Sequence, residues 1–246
     1  MARGAPLPNV KAARPGVEIQ AVLLDVDGTL IDSNEAHAKA WADILRAADW
    51  PEVTWQEILP LIGMGGDKLL PAVTGVKIDS PRGKKLASER SEHFLVAYAP
   101  TIRAFPKTRE LLETFRDRGL KRVIATSAGE DELGALLDRA GVADLITRET
   151  TSDDAKGKSK PDPNIIIAAL AKAQAAPDEA IMIGDTPYDI EAAAAAGVRT
   201  IALRSGGWGD RALGAAAAIY ADPAELLARL DDSPLGRSRW TAGDKL

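Results

Sequence analysis

Two carboxylates stand two residues apart at the end of an apolar run. The run is Ala21–Leu24, and Asp25 and Asp27 follow it, with Gly28 and Thr29 directly after. A short, wholly apolar run is typical of a buried strand in a parallel sheet, and open α/β sheets bind ligands at the carboxyl ends of their strands. Neighbouring carboxylates repel each other unless a cation compensates, and Mg²⁺ is a usual choice. Alternatively, both acids merely end a strand, because Asp-Gly is a common turn pair.

Three further apolar runs also end in polar residues. They are Val123–Ala125 before Thr126 and Ser127, Ala180–Ile183 before Gly184 and Asp185, and Thr200–Leu203 before Arg204 and Ser205. Because the carboxyl ends of parallel strands share one edge of the sheet, we expect these polar residues to converge on Asp25 and Asp27. Lys160, in a polar loop, can reach the same edge.

Each of these residues also has an ordinary structural interpretation. A lysine in a polar loop is usually solvated, and Asp189 on a helix surface is more often solvated than close to a metal. Thr126 and Ser127 are good helix N-cap residues, and Asp185 could cap the helix that Pro187 opens. The convergence of all of them on one edge favours the functional interpretation.

The order of the predicted elements indicates an α/β protein. Residues 34–104 show only helical patterns, whereas strand and helix patterns alternate from residue 105 onward, which predicts a parallel sheet with a helical insertion. The predicted strands after the first cover residues 123–125, 144–147, 180–183, 200–203 and 218–220, of which 144–147 is the weakest.

The composition excludes several classes of function. The 246-residue chain has no cysteine and only two histidines, so thiolate chemistry is impossible and histidine-based metal sites have little support. A net charge of −5 argues against nucleic acid or an anionic membrane as a partner. No stretch approaches the length of a membrane span. We expect a cytoplasmic protein that is a monomer or small homo-oligomer.

Four stretches together resemble the haloacid dehalogenase superfamily, in its phosphoglycolate phosphatase and beta-phosphoglucomutase-like branch. In the family's order they are Asp25–Thr29, Val123–Ser127, Lys160-Pro161 and Gly184–Asp189. The resemblance implies a Rossmann-like, doubly wound parallel sheet core with an inserted all-helical cap domain. The implied division is 19–33 and 105–232 for the core, 34–104 for the cap, and 1–18 and 233–246 for flexible termini.

The resemblance also implies a role for each residue. Asp25 would attack phosphorus and form an aspartyl-phosphate, and Asp27 would serve first as general acid and then as general base. Lys160 would neutralise phosphoryl charge, and Thr126 would donate hydrogen bonds to phosphoryl oxygens. The implied ligands of Mg²⁺ are Asp25, the main-chain carbonyl of Asp27, Asp185 and, through water, Asp189.

Further residues are candidates for contact with the substrate. Ser127 follows Thr126, and His37 stands where related sugar phosphomutases carry a histidine that steadies the general acid; an ordinary polar helix position is the equal alternative. Gly63 and Met64 lie in a loop that resembles the family's specificity loop, and Lys68 follows it. We expect changes at Met64 or Lys68 to shift substrate preference more than they alter stability.

The resemblance predicts a Mg²⁺-dependent phosphatase for a small phosphorylated metabolite, of the phosphoglycolate or sugar phosphate type. A sugar phosphomutase is the alternative enzyme, although such mutases carry an arginine where this chain has Gly66. Asp27 argues against a dehalogenase or a phosphonatase. A non-enzymatic phosphoacceptor or binding protein is the alternative from another class, but it would lack the helical insertion or would have lost an acid or the lysine.

Overall fold

The computed structural model describes residues 17–152, 154–155 and 157–236. Its centre is a five-stranded parallel sheet with the strand order β2-β1-β3-β4-β5. The strands are β1 (Ala21–Leu24), β2 (Lys121–Ile124), β3 (Ala180–Gly184), β4 (Arg199–Leu203) and β5 (Ala218–Tyr220). The predicted α/β class with a doubly wound parallel sheet is thereby confirmed. The termini predicted to be flexible lie mostly outside the described residues, which exclude 1–16 and 237–246.

Helices cover both faces of the sheet and fill the insertion after β1. They are α1 (Asn34–Ala47), α2 (Trp55–Ile58), α3 (Gly66–Thr74), α4 (Pro81–His93), α5 (Thr108–Asp117), α6 (Glu130–Ala140), α7 (Asn164–Ala173), α8 (Pro187–Ala195), α9 (Asp210–Leu213) and α10 (Pro223–Ala228). Short 3-10 turns join several of them. No helix in the described part of the chain is both long and apolar enough to cross a membrane.

The interior strand β1 is buried on both faces, which explains its unbroken apolar sequence. Successive side chains of a strand point to opposite faces of the sheet. Val22 and Leu24 accordingly belong to one hydrophobic cluster and Ala21 and Leu23 to another, all of them fully buried. Burying such an aliphatic side chain stabilises a fold by about 2 kcal/mol. The two clusters therefore fix the height and direction of β1, and with them the position of Asp25.

Residues 34–104 form a helical segment with a hydrophobic cluster of its own, which includes Trp41, Ile58 and Leu69. The chain enters and leaves this segment at one place, where Asp32 N donates to Arg103 O at 3.0 Å. No strand of the sheet comes from the segment within the described residues. These features agree with the predicted insertion, while its division from the core as a separate domain stays a prediction.

Two local predictions differ from the structure. The predicted strand at 144–147 is wrong, because Ala143–Leu145 forms a 3-10 turn and only Arg148 makes an isolated bridge to Val123 of β2. Leu145 is buried while Asp144 points outward and pairs with Arg109, an arrangement that a turn satisfies without a sheet partner. The sequence from Ser80-Pro81 also predicts one helix that runs through Tyr98 to Pro100, whereas α4 changes at Phe94 into a π-helical turn, Phe94–Tyr98.

Candidate active site

Three carboxylates and one ammonium group meet at the carboxyl edge of the sheet. Asp25 follows β1, Asp185 follows β3, and Asp189 lies in the first turn of α8. Oxygens of the three carboxylates lie within 4.8 Å of one another. Lys160 Nζ lies 2.5 Å from Asp25 Oδ1 and 2.7 Å from Asp189 Oδ1, and the Lys160 side chain is fully buried. We call Asp25, Asp185, Asp189 and Lys160 the acid cluster.

Neutral donors hold Asp185 in place within the acid cluster. Thr29 Oγ1 and Asn34 Nδ2 each donate to one of its carboxylate oxygens at 3.0 Å. Two glycines allow this close packing, since a Cβ on Gly206 would lie only 1.6 Å from Asp185 Oδ2 and one on Gly28 only 2.3 Å away. Gly28 also has a φ of +74°, a backbone conformation that residues with a side chain rarely adopt. Asp185 is thus fixed by contacts that carry no positive charge.

Asp189 serves both the acid cluster and the start of α8. Its Oδ2 accepts hydrogen bonds from the Thr186 amide at 3.0 Å and from Thr186 Oγ1 at 2.7 Å, and Thr186 Oγ1 accepts from the Asp189 amide. This reciprocal capping box satisfies the first amides of the helix. Thr186 is therefore the N-cap of α8, rather than Asp185.

Burial and charge repulsion raise the pKa values of two of the acids. Burial raises the pKa of Asp25 to about 7, with Lys160 opposing the rise and Asp189 and Asp27 adding to it. Burial, followed by the charges of Asp25 and Asp189, raises the pKa of Asp185 well above its ordinary value. Burial acts to lower the pKa of Lys160, but Asp189 and Asp25 outweigh it and raise that pKa. One ammonium group therefore leaves the three acids undercompensated.

The acid cluster suits a hard divalent cation. It offers carboxylate oxygens, the ligands that Mg²⁺ prefers, in a buried position where their negative charge exceeds the positive charge of Lys160. Burial, with repulsion between the acids added to it, raises the pKa values of Asp25 and Asp185, and a cation bound beside them would lower both. Both oxygens of Asp189 have strong partners, Lys160 on Oδ1 and Thr186 on Oδ2. Lys160 contacts only Oδ1 of Asp25, and Asp185 has only neutral donors, so Asp25 and Asp185 are better suited to bind a cation directly.

Asp27 is held apart from the acid cluster by a different set of donors. Ser33 Oγ donates to Asp27 Oδ1 at 2.5 Å, and His37 Nε2 lies 2.8 Å from the same oxygen. Burial acts to raise the pKa of Asp27, but His37, Ser33 and the charge of Arg90 together lower it below its ordinary value. The structure therefore stabilises Asp27 as a carboxylate.

Behind His37 lies a buried ion pair that joins the helical segment to the core. Arg90 of α4 donates to both carboxylate oxygens of Glu132 in α6, at 2.6 and 2.7 Å, and also contacts His37 Nδ1. Since a guanidinium can only donate, this contact assigns the proton of His37 to Nε2, which then donates to Asp27. Phe94 stacks on the His37 ring at 4.0 Å. We call Arg90, Glu132 and His37 the Arg90 network.

Thr126 and Ser127 follow β2 and border the same cavity as Asp25. Thr126 Oγ1 accepts from the Ala128 amide at 3.1 Å and keeps its own hydrogen for donation. Ser127 Oγ is buried without a hydrogen-bond partner among the described residues. Neither residue is the N-cap of α6, because Gly129 holds that position. The alternative interpretation of these hydroxyls as N-caps is therefore wrong.

A cavity of about 450 Å³ lies between the sheet edge and the helical segment. The core lines it with Asp25, Asp27, Thr126 and Ser127, whereas His37, Gly63 and Met64 line it from the helical segment. Lys68 does not line it; its Nζ donates to Ser159 O at 2.5 Å and to Asp162 Oδ2 at 2.8 Å. The predicted contact of Lys68 with substrate stays a prediction.

Sequence reasoning missed Asn34, Arg90 and Glu132 as members of the site. Asn34 bonds a residue 151 positions away, and Arg90 and Glu132 are 42 positions apart. Each occupies an ordinary polar position in its own helix, so no local pattern marks it. Only the packing of the helical segment against the core brings these residues together.

Comparisons with known proteins agree with this geometry. The model of the haloacid dehalogenase-like hydrolase family matches residues 22–203. The crystal structure of a hydrolase from Pseudomonas syringae superposes with a TM-score of 0.79 at 33% identity, over 87% of this chain and 98% of that one. A phosphoglycolate phosphatase of Pseudomonas putida is 29% identical over 78% of this chain and 72% of its own length.

A plant relative shows the same similarity within a much longer protein. The chloroplastic protein SUPPRESSOR OF QUENCHING 1 of Arabidopsis thaliana is 32% identical over 191 residues. The match takes in 76% of this chain but only 18% of that protein. With the family model matching most of the sequence, the chain belongs to the haloacid dehalogenase-like hydrolase family, as an enzyme of its phosphatase branch.

Proposed function

We propose that this protein is a Mg²⁺-dependent phosphatase that hydrolyses a small phosphorylated metabolite, of the phosphoglycolate or sugar phosphate type, through an aspartyl-phosphate on Asp25. The observation that carries the proposal is the position of Asp25. Its Oδ1 lies 2.5 Å from Lys160 Nζ, its carboxylate lies among acids whose negative charge exceeds the positive charge of the lysine, and it borders the cavity.

In the first step, Asp25 attacks phosphorus and the P–O bond to the alcohol breaks. Lys160 draws charge from the Asp25 carboxylate and from the phosphoryl oxygens, while Thr126 and Ser127 can donate hydrogen bonds to those oxygens. Asp25 and Asp185 would hold Mg²⁺, with the main-chain carbonyl of Asp27 and, through water, Asp189 as further predicted ligands. When bound, the cation would neutralise negative charge on the phosphoryl group.

Asp27 gives a proton to the leaving oxygen in the first step and takes one from water in the second. It must be protonated to donate to the leaving oxygen, and the negative phosphate bound beside it raises its pKa toward that state. In the second step water attacks phosphorus, the P–O bond to Asp25 breaks, Asp27 takes a proton from that water, and inorganic phosphate leaves. His37 and Ser33 stabilise the carboxylate needed for this second step.

The test is release of inorganic phosphate from a panel of phosphate monoesters, with Mg²⁺ and with a chelator. For Asp25→Asn we expect turnover to fall on the order of 10⁴-fold or more, because the nucleophile is lost. Asp32→Asn is the matched control, since Asp32 is exposed and the chemical change is the same. Phosphate release by a folded Asp25→Asn protein at the wild-type rate would refute the assignment.

A sugar phosphomutase is the competing enzyme, and the same panel separates the two. A mutase must hold a second phosphate, yet Gly66 borders the cavity without a side chain. Isomerised sugar phosphate without net release of phosphate would favour the mutase. Binding without either product would favour a phosphoacceptor or binding protein.

A further inference from the structure

The charges on the cavity wall carry information about the alcohol portion of the substrate. The helical segment contributes the apolar part of the wall, through Trp41, Ile62, Met64, Leu69, Ile78 and Ala87. Away from the sheet edge, the charged residues among the described lining residues are Asp67, Arg90 and Glu132. The alcohol portion of an ester whose phosphate lies at Asp25 would contact this wall.

The positive charge of Arg90, the cation of this wall, is already balanced by a carboxylate. Arg90 binds both oxygens of Glu132 and contacts His37, so its charge is balanced within the Arg90 network. Only its Nε lacks a hydrogen-bond partner among the described residues, and this atom is buried. Lys68 is not a lining residue, and its charge is balanced by Asp162 at 2.8 Å and Asp67 at 3.3 Å, while it also donates to Ser159 O. Within the described residues, the wall therefore offers no uncompensated positive charge to a second anionic group.

The wall also contains the carboxylate of Asp67. Asp67 Oδ1 is buried without a hydrogen-bond partner in the described part of the chain, while Oδ2 faces Lys68 at 3.3 Å and the Ser159 amide at 3.4 Å. A carboxylate oxygen accepts hydrogen bonds and repels another anion. A hydroxyl group on the substrate can lie beside this carboxylate without repulsion, whereas a carboxylate or phosphate would be repelled.

We propose that this cavity takes phosphate monoesters whose alcohol portion carries hydroxyl groups and no negative charge, and rejects esters with a carboxylate or a second phosphate. The inference rests on the proposed function and narrows its substrate class. Of the two types named there, it selects the sugar phosphate type over phosphoglycolate.

A matched pair of substrates tests this inference. 2-Hydroxyethyl phosphate has nearly the size and shape of phosphoglycolate, but a neutral CH₂OH group replaces the carboxylate. Glycerol 3-phosphate and 3-phosphoglycerate form a second such pair. We expect kcat/KM to be about tenfold or more higher for the neutral member of each pair. Equal values, or a higher value for the carboxylate, would overturn the inference.

A substitution at Gly66 tests whether the charge of the wall causes the preference for the neutral substrate of each pair. A Cβ there would lie 3.5 Å from Trp41 and 3.7 Å from Ile78, which are ordinary contacts, so the position can accept a side chain. Gly66→Arg adds a cation to the wall, and Gly66→Gln adds a neutral side chain that also donates hydrogen bonds. We expect Gly66→Arg to shift the kcat/KM ratio about tenfold toward phosphoglycolate and Gly66→Gln to leave it near the wild-type ratio. An unchanged ratio in a folded Gly66→Arg protein would also overturn the inference.

p-Nitrophenyl phosphate separates failure of this inference from failure of the proposed function. If Mg²⁺-dependent phosphate release from this activated ester occurs but the neutral members are not preferred, only the inference is wrong. If no ester releases phosphate, the proposed function fails and the inference fails with it.

Discussion

The acid cluster and the Arg90 network are both buried and charged, but their charges balance differently. In the acid cluster, three carboxylates share one ammonium group, and the pKa values of Asp25 and Asp185 rise. In the Arg90 network, one guanidinium meets one carboxylate through two short hydrogen bonds, and the pKa of Glu132 falls. The first set needs a further cation for full stability, whereas the second is complete. Net charge therefore separates a cluster that is suited to a cation from a pair that holds two parts of the chain together.

The largest effect on stability should come from breaking the balanced pair. Glu132→Gln leaves Arg90 buried without its countercharge, so we expect a loss of about 3 kcal/mol in the free energy of unfolding. The loss should be the same with Mg²⁺ and with chelator, as measured by urea unfolding. The matched control is the double variant Arg90→Met with Glu132→Leu, which should recover most of the loss. A loss that Mg²⁺ repairs would mean that the two charged sets are not separate.

Mg²⁺ itself should stabilise the protein through the acid cluster. At 100 times the dissociation constant, we expect about 2.7 kcal/mol of added stability. The gain should persist in Glu132→Gln and largely disappear in Asp185→Asn, which removes a predicted ligand. Thermal unfolding over a Mg²⁺ titration measures both variants. An unchanged gain in Asp185→Asn would remove Asp185 from the metal site.

A smaller effect concerns the metal-free protein and its pH dependence. Because the pKa of Asp25 is about 7 in the folded state and 3.8 ordinarily, the folded state binds this proton more tightly than the unfolded chain. Stability is therefore lost as pH rises from about 4 through 7. Asp25→Asn has no such proton to lose, so in chelator at pH 8 it should exceed the wild type by on the order of 2 kcal/mol. The difference should shrink toward pH 4. A constant difference across this range would contradict the raised pKa.

Much of the fold was predictable because its strands are short, apolar and bounded by clear signals. The predicted strands 180–183 and 200–203 agree within one residue with β3 (Ala180–Gly184) and β4 (Arg199–Leu203). The error at 144–147 shows the limit of such patterns. Only Leu145 and Ile146 are apolar in this stretch, and two apolar side chains can pack from a turn as well as from a strand.

The site was predictable to the extent that its residues come from strand ends. Parallel topology brings Asp25, Thr126 and Asp185 to one edge whatever the details of the loops. Arg90 and Glu132 were not predictable, because their meeting depends on how the helical segment packs against α6. The hydrogen bonds between Asp189 and Thr186 were equally unpredictable, since an aspartate in a capping box and an aspartate near a metal cannot be told apart in a sequence.

The double duty of Asp189 also bears on how this chain can evolve. A chain that loses Asp189 loses the cap of α8 together with a partner of Lys160, so selection for a stable fold would remove that mutation even where activity no longer matters. Asp27 has no such duty to a helix, and its side chain is 14% exposed. Descendants of this protein that abandon catalysis and keep only binding should therefore lose Asp27 first and retain Asp189.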